Sequence, residues 1–343
     1  MQITYTPYTF DFKFEAGTSR GVLTQKKNYF IKIVDKQGNT GIGEVNVLKG
    51  LSIDDREDFK EKLEIILKQY QENEIDEHLL NKFPSVRFAL ETAQKDLENG
   101  GNKIIYPTKF TEGTHFIPIN GLIWMGNKEH MLSQIAEKVK SGFNCLKMKI
   151  GAINFEEELE ILRFIRKEFS EKDMILRVDA NGAFSPETAL EKLKKLSDFQ
   201  LHSIEQPIQP TQYEQMAYLC EHSPVPIALD EELIGIQDYN EKKKLLETLK
   251  PPYIILKPAL LGGFQKSEEW IELAEKQQIN WWVTSALEGN IGLNAIAQWT
   301  SHLAYKGHQG LGTGQLYTNN IPSPLVVDKG LLKYDKTFGW GKV

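Results

Sequence analysis

From Phe116 onward the chain repeats one unit, a short apolar run of strand type followed by an amphipathic stretch of helix type. The strand-type runs fall at 117–123, 145–149, 175–179, 201–206, 226–230, 253–257, 281–285 and 308–312. Strands separated in this way cannot be joined by hairpin turns. They read as parallel neighbours with a helix crossing back between each pair. Several helix starts carry their usual signals: Asn127, Ser185-Pro186-Glu187, and Gly262-Gly263 before Phe264. Eight strands with seven intervening helices predict a closed parallel barrel, with a doubly wound open sheet as the competing arrangement.

The first part of the chain has a different rhythm. Residues 2–14, 22–35 and 39–47 read as strands, the last two joined by the turn Lys36-Gln37-Gly38-Asn39. Helices are predicted near 54–72 and 85–98, the second stopped by Asn99-Gly100-Gly101-Asn102. Strands followed by helices predict an α+β domain over 1–112, ahead of a (β/α)7β TIM-like barrel over 113–320, and an α/β class for the whole. The tail 321–343 contains Pro322, Pro324 and Gly339-Trp340-Gly341, and is expected to leave the barrel and rejoin the first domain.

In a barrel, the loops after the strands build the active site, so strand ends are where chemistry is sought. Lys149, Asp179, Glu205, Asp230 and Lys257 end five consecutive strand runs, at intervals of 30, 26, 25 and 27 residues. One ionisable residue per unit, each on an otherwise apolar strand, places all five around one rim. Three carboxylates converging there need a counter-charge, since mutual repulsion would otherwise raise at least one pKa. A divalent cation supplies it, and hard oxygen donors suit Mg²⁺, with Mn²⁺ as a substitute.

Lys147 and Lys149 are two apart on one strand, so they share a face. Lys257 approaches from the opposite wall. A lysine crowded by a second cation and a metal is expected to have a lowered pKa and to act as a base near neutrality. A metal between two such lysines suits removal of a proton next to a carboxylate, with the charge of the enediolate held in place. The substrate class is then a small carboxylate.

Other partners are excluded on charge and length. The net charge of −6 is spread without a basic block, so nucleic acid and anionic membrane have no electrostatic footprint. No apolar run approaches the roughly 20 residues of a membrane span. The opening MQITYTPYTFDFKF alternates as a strand does and lacks the layout of a signal peptide. Cys145 and Cys220 are too few and too far apart for a disulfide framework or a zinc cluster. A cytoplasmic protein is expected.

The segments Leu146-Lys147-Met148-Lys149, Arg177-Val178-Asp179-Ala180-Asn181-Gly182, Ile204-Glu205-Gln206-Pro207, Leu229-Asp230-Glu231 and Leu256-Lys257-Pro258 together resemble the enolase superfamily, muconate-lactonizing subgroup. The resemblance implies a capping domain that closes over the barrel. It implies Asp179, Glu205 and Asp230 as Mg²⁺ ligands, with Asp230 preferred to Glu231, and Lys149 and Lys257 as the opposed pair. Three further segments are Ser285-Ala286-Leu287-Glu288-Gly289-Asn290-Ile291-Gly292-Leu293, Gly310-Leu311-Gly312-Thr313-Gly314 and Pro84-Ser85-Val86-Arg87-Phe88-Ala89. They are similar to a branch of the subgroup that performs a syn dehydration. That implies Lys149 as base and then acid, and Lys257 as an electrostatic partner. The alternative is a dipeptide epimerase or N-acylamino acid racemase. The epimerases carry Asp-x-Asp on the last strand, where this chain has Gly312-Thr313-Gly314.

Further substrate contacts are expected among Lys147, Arg20, Ser285 and Arg177. Arg20 lies on a Gly-flanked loop that either meets a distal carboxylate or is a plain solvated turn. Arg177 faces the barrel interior, as a contact or as a structural counter-ion. Asn181 is positioned to orient Asp179, and Glu288 either caps the following helix or touches substrate.

Overall fold

The computed structural model describes residues 1–18, 21–304 and 306–343. Its first sheet is antiparallel, built from β1 (Gln2–Thr18), β2 (Gly21–Val34) and β3 (Thr40–Val45) in that order. β1 and β2 pair in one register from Gln2↔Val34 to Asp11↔Gln25, then shift before Ala16↔Leu23. Three helices follow: α1 (Phe59–Glu72), the single turn α2 (Glu77–Leu80) and α3 (Pro84–Glu98). α3 lies directly on β3, because β3 offers glycine where the helix passes. A Cβ on Gly41 would stand 1.9 Å from the Ala93 carbonyl oxygen, and one on Gly43 would stand 1.9 Å from that of Ala89. Ile31, Ile33, Val45, Leu63, Ile66, Val86 and Ala89 fill the layer between sheet and helices. The expected helix over 54–72 starts only at Phe59, since Asp54 is committed elsewhere. Its Oδ2 accepts from the Ser85 backbone N–H at 2.9 Å and from the Ser85 hydroxyl at 2.5 Å, and so caps α3 from a distance.

The barrel begins with β4 (Ile117–Pro118) and β5 (Gly121–Ile123) and continues through α4 (Lys128–Lys140), β6 (Cys145–Lys149), α5 (Phe155–Glu168), β7 (Ile175–Asp179) and α6 (Pro186–Leu196). Next come β8 (Ser203–Glu205), α7 (Tyr213–His222), β9 (Ile227–Leu229), α8 (Tyr239–Leu249) and β10 (Tyr253–Leu256). α9 (Pro258–Leu261), α10 (Gly263–Lys276), β11 (Asn280–Val283) and α11 (Asn290–His302) complete it. Strands β5 to β11 form one parallel sheet of 7 strands in sequence order. The eighth run, expected at 308–312, is not a full strand. Two parallel bridges, Ile119↔Gln309 and Thr284↔Gly310, join the two edges of the sheet there and close the barrel.

Alternation along the strands separates two environments. On β6 and β7, Leu146, Met148, Leu176 and Val178 turn outward into the layer beneath the helices, so Lys147, Lys149, Arg177 and Asp179 turn inward. Ala228, Ile255 and Trp282 make a small apolar plug inside the barrel. The tail forms the hairpin β12 (Leu325–Asp328) and β13 (Leu331–Tyr334), with β13 paired to β4. It then runs on to the first sheet. Trp340 and Val343 pack against the cluster around Phe10 and Phe30, and Lys32 Nζ donates to the Val343 carbonyl.

Candidate active site

Lys149, Asp179 and Glu205 are direct neighbours in register across β6, β7 and β8. Glu205 is in register with Ala228, and Ala228 with Tyr253. Asp230 stands two positions beyond the first and Lys257 four beyond the second. That climb is what strand tilt in a closed barrel produces, and it keeps all the charged groups at one height. Asp179, Glu205 and Asp230 are 0%, 2% and 2% exposed, so their charges must be met inside the protein. Lys147 Nζ bonds Asp179 Oδ2 at 2.9 Å and Glu205 Oε2 at 2.7 Å. Lys149 Nζ bonds the same Asp179 oxygen at 2.6 Å. From the other wall Lys257 Nζ bonds Asp230 Oδ2 and lies 3.6 Å from Glu205 Oε1.

The ion pairs move the pKa values in a consistent way. Burial alone would raise Asp179, but Lys147, Lys149 and Lys257 outweigh it and hold the carboxyl well below its ordinary range. Burial pulls Lys147 and Lys257 down, yet their carboxylate neighbours carry both above the ordinary lysine value. At these two lysines the carboxylates are nearer than other cations. Glu205 goes the opposite way. Burial, reinforced by the charge of Asp179, pushes it up to about 7 in spite of Lys147. Its Oε1 is shut from solvent and accepts no hydrogen bond.

Glu205 is thus the point at which positive charge is short. Asp179, Glu205 and Asp230 are hard oxygen donors on one barrel rim, and the unpaired Glu205 Oε1 is a free ligand atom among them, so the chemistry of the donor set fits Mg²⁺. Among the described residues the carboxylates do not close around a common point as a ligand cluster. Lysine ammonium groups stand between them, Lys147 between Asp179 and Glu205, and Lys257 between Glu205 and Asp230.

A cavity of about 600 Å³ opens over this rim, lined by Lys147, Lys149, Lys257, Ser285 and Thr313 from the barrel and by Lys13, Phe14, Leu48 and Leu51 from the first domain. Asn181 is drawn into the site as well. Its Oδ1 accepts from Lys149 Nζ at 2.6 Å, while its Nδ2 donates to Glu231 Oε1 at 2.9 Å. Its own backbone N–H donates to Asp179 Oδ1 at 3.1 Å. Ser285 lines the cavity, but its hydroxyl is already engaged with Thr313 Oγ1 at 2.8 Å and the Gly310 carbonyl at 3.2 Å.

One expected contact, Arg177, lies away from the cavity. Arg177 sits below the rim, its guanidinium over the Trp282 ring at 4.2 Å and bonded to the His308 carbonyl at 3.0 Å. It does not line the cavity. Arg20 falls outside the described residues. Neither alternative for Glu288 holds as stated. It accepts from Ala286 N–H at 2.6 Å and Asn46 Nδ2 at 3.0 Å, and the helix that follows is capped by Glu44 of β3.

Several site residues escape a reading of the sequence. In the sequence Glu231 stands out only as a rival ligand to Asp230, and its bond to Asn181 joins loops 50 positions apart. Lys13 and Phe14 come from β1, whose alternation says nothing of which barrel mouth it leans over. Asn120 and Thr284 line the cavity floor inside runs that read only as strands, and each is a polar residue at an inward position. A polar residue on an otherwise apolar barrel strand was the available signal.

Comparison with known proteins agrees with this architecture. The family model described as Enolase C-terminal domain-like matches residues 130–342, and that of the MenC N-terminal domain matches residues 4–97. An o-succinylbenzoate synthase of Desulfotalea psychrophila is 46% identical, the match covering 97% of this chain and 98% of the relative. The crystal structure of MenC from Desulfotalea psychrophila superposes with a TM-score of 0.83 at 43% identity, over 97% of this chain and 99% of that one. A dipeptide epimerase from Enterococcus faecalis, solved with Mg and the dipeptide L-Leu-L-Tyr, has a TM-score of 0.82 at 19% identity, over 99% of this chain and 98% of the other. That likeness is one of fold. Among the described residues, no helix is long and apolar enough to cross a membrane.

Proposed function

The chain belongs to the enolase superfamily, and from that premise we propose that it is an o-succinylbenzoate synthase. The reaction converts the cyclohexadiene carboxylate precursor, which bears a succinyl arm and a ring hydroxyl, into o-succinylbenzoate and water in menaquinone biosynthesis. It is a carbon–oxygen lyase. The cytoplasm is the proposed compartment, in keeping with two free thiols, Cys145 and Cys220.

Asp179, Glu205 and Asp230 would hold Mg²⁺, or Mn²⁺ in its place. Bound there, the cation would supply positive charge facing the substrate carboxylate as negative charge grows on it. Lys149 takes the proton from the ring carbon that carries the carboxylate. It does so as the neutral amine, its nitrogen held in place by the hydrogen bonds it donates to Asp179 and to the Asn181 amide oxygen. The electron pair left behind forms the enediolate and then expels the hydroxyl from the adjacent carbon. Lys149 returns the proton to the departing oxygen, giving water and an aromatic ring, so atoms and charge balance with one lysine acting twice. Lys257 stays an ammonium, since Asp230 and Glu205 hold its pKa up, and its charge offsets the enediolate. Lys147 completes the positive wall. We propose residues 1–112 with the tail 321–343 as the cap over this site. Lys13, Leu48 and Leu51 support that role by lining the cavity from above the barrel.

One observation carries the choice within the subgroup. The last barrel segment presents Gly310, Gly312 and Thr313 to the cavity, and its run Gly312-Thr313-Gly314 has no carboxylate to receive the ammonium of a dipeptide. An acidic, uncharged-ring substrate loses nothing there, whereas a buried ammonium would be left unpaired. A direct assay with the cyclohexadiene acid, run beside L-Ala-L-Glu epimerisation, tests the reading. Dehydration abolished by EDTA and restored by Mg²⁺ is expected. Epimerisation without dehydration would overturn it.

A further inference from the structure

Between β11 and α11 the cavity wall is the segment Ser285-Ala286-Leu287, all three residues of which line the cavity. Leu287 holds a backbone form that leucine seldom takes, with φ at +62°. In that region the Cβ crowds the residue's own carbonyl oxygen. Such a conformation persists only where the surroundings impose it.

What imposes it lies behind the wall. A carbonyl oxygen has two lone pairs, and two donors converge on that of Leu287. Lys26 Nζ of β2 donates to it at 2.6 Å, and the Tyr317 hydroxyl donates at 2.6 Å. Both residues are buried, and neither lines the cavity. Lys26 Nζ also donates to Asn46 Oδ1, and Asn46 Nδ2 holds the preceding carbonyl of the wall, that of Ala286, at 2.8 Å. Burying an ammonium is costly, and the bonds of this one go to the oxygens that fix the wall. Tyr317 is seated in turn by its ring, which stacks on Phe10 at 4.6 Å and meets Phe12 edge-on at 4.8 Å.

We propose that Lys26 and Tyr317 are positioning residues that set how tightly the cavity holds its ligand. By pinning the Leu287 carbonyl they keep the wall Ser285-Ala286-Leu287 in the form that fits the substrate. They act through that wall and take no part in proton transfer. The assignment rests on the proposed dehydration for the ligand that reads it out.

The test compares Tyr317→Phe and Lys26→Met with the unaltered protein in saturating Mg²⁺. The first removes a hydroxyl and keeps the ring packing; the second removes an ammonium and keeps most of the side chain's length. Calorimetric titration should show o-succinylbenzoate bound roughly fivefold more weakly by Tyr317→Phe, the size of effect one neutral hydrogen bond carries. Lys26→Met should weaken it further, because its lost bond is charge-assisted. KM for the cyclohexadiene acid should rise in step while kcat stays within about threefold, as when binding is lost and the base is untouched. The decisive comparison repeats Tyr317→Phe in a Leu287→Gly background. Glycine takes the left-handed backbone without strain, so the wall no longer depends on its donors, and loss of the hydroxyl should then change affinity less than about twofold. Leu287→Asn, which also tolerates that backbone, replaces the glycine variant if the latter binds too weakly to measure. If Lys26→Met does not fold, Tyr317→Phe decides alone. Equal weakening in both backgrounds, or affinity unchanged by Tyr317→Phe, overturns the assignment. A lowered melting temperature with affinity unchanged also overturns it, marking the bonds as structural only, as does a fall in kcat at constant KM. If the unaltered protein dehydrates the cyclohexadiene acid while Tyr317→Phe binds normally, only this assignment falls. If it neither dehydrates the acid nor binds o-succinylbenzoate, the proposed function falls with it.

Discussion

Lys149 and Lys257 face one cavity with different surroundings, and their substitutions should separate accordingly. Lys149 donates to Asp179 and to an uncharged amide oxygen, whereas Lys257 donates to Asp230 and is near Glu205. Lys149→Ala should abolish turnover, by a factor of at least ~10²–10⁴, the usual contribution of a positioned base. Lys149→Arg should do the same, because a guanidinium does not give up its proton in this pH range. Lys257→Arg keeps the charge and is expected to retain measurable dehydration. Rates for the three variants decide it, and equal loss in both arginine variants would remove the distinction between base and electrostatic partner. Asn181 adds a finer point. Glu231 accepts only, so the Asn181 NH₂ must face it and the amide oxygen must face Lys149. Glu231→Gln removes that constraint, and kcat should fall about tenfold with KM little changed. A KM effect alone would argue against it. Lys149, Asp179, Glu205, Asp230 and Lys257 were legible in the sequence because strand period and unit spacing both mark them. Glu231 and Lys26 were not, because their roles depend on partners brought close only by folding.

At the scale of elements, α10 and α11 are among the barrel helices that begin without a side-chain cap of their own. α10 and α11 follow Gly262 and Gly289, and neither start has a side-chain cap from its own segment. The first domain supplies both. Glu91 of α3 accepts from Phe264 N–H at 2.5 Å, and Glu44 of β3 accepts from Gly289 N–H at 2.7 Å and Gly292 N–H at 2.8 Å. Carboxylates there also meet the positive ends of the helix dipoles. Glycine is needed at the contact, since a Cβ on Gly263 would stand 2.2 Å from Glu91 Oε2. The same joint reaches the cavity wall, for Asn46 Nδ2 bonds the Ala286 carbonyl at 2.8 Å and Lys26 Nζ bonds that of Leu287 at 2.6 Å. Glu44→Ala should cost about 1–3 kcal/mol, the penalty of leaving buried donors unpaired. Glu44→Gln, which keeps an acceptor, should cost less. Thermal melts of the two variants check the order, and equal melting temperatures would refute the cap. The strands of the first sheet and of the parallel sheet were readable from alternation and apolar runs, the tail hairpin β12–β13 was not, and Asn127 caps α4 as its sequence position suggests, accepting from His130 N–H at 2.9 Å. The caps on α10 and α11 were not readable. Glu44 stands 245 positions from the helix start it serves, and local signals stop within a few residues.

Across the whole molecule, the cap-to-barrel architecture could be inferred from two rhythms of patterning, but the charges buried inside each part could not. They predict how stability responds to pH. Burial pushes the carboxyls of Asp54 and Asp96 up to about 6, and those of Glu91 and Glu158 up to about 7. All four are also hydrogen-bonded, and in each the cost of burial outweighs the bonds. In the unfolded chain these groups titrate near 4. Between about pH 4 and pH 7 the native state therefore holds more protons than the unfolded state, and stability falls as pH rises through that window. Asp179 works in the opposite sense, because its folded pKa is depressed. Its contribution is complete above the unfolded value near 4 and is lost only below it. The expected result is a higher melting temperature at pH 5 than at pH 7.5, measured with EDTA present so that cation binding adds no pH dependence of its own. Asp54→Asn removes one of the four groups while keeping an acceptor toward Ser85, and should flatten part of the slope. A melting temperature that climbs from pH 5 to pH 7.5 would mean that the backbone bonds to these carboxylates outweigh the cost of burying them.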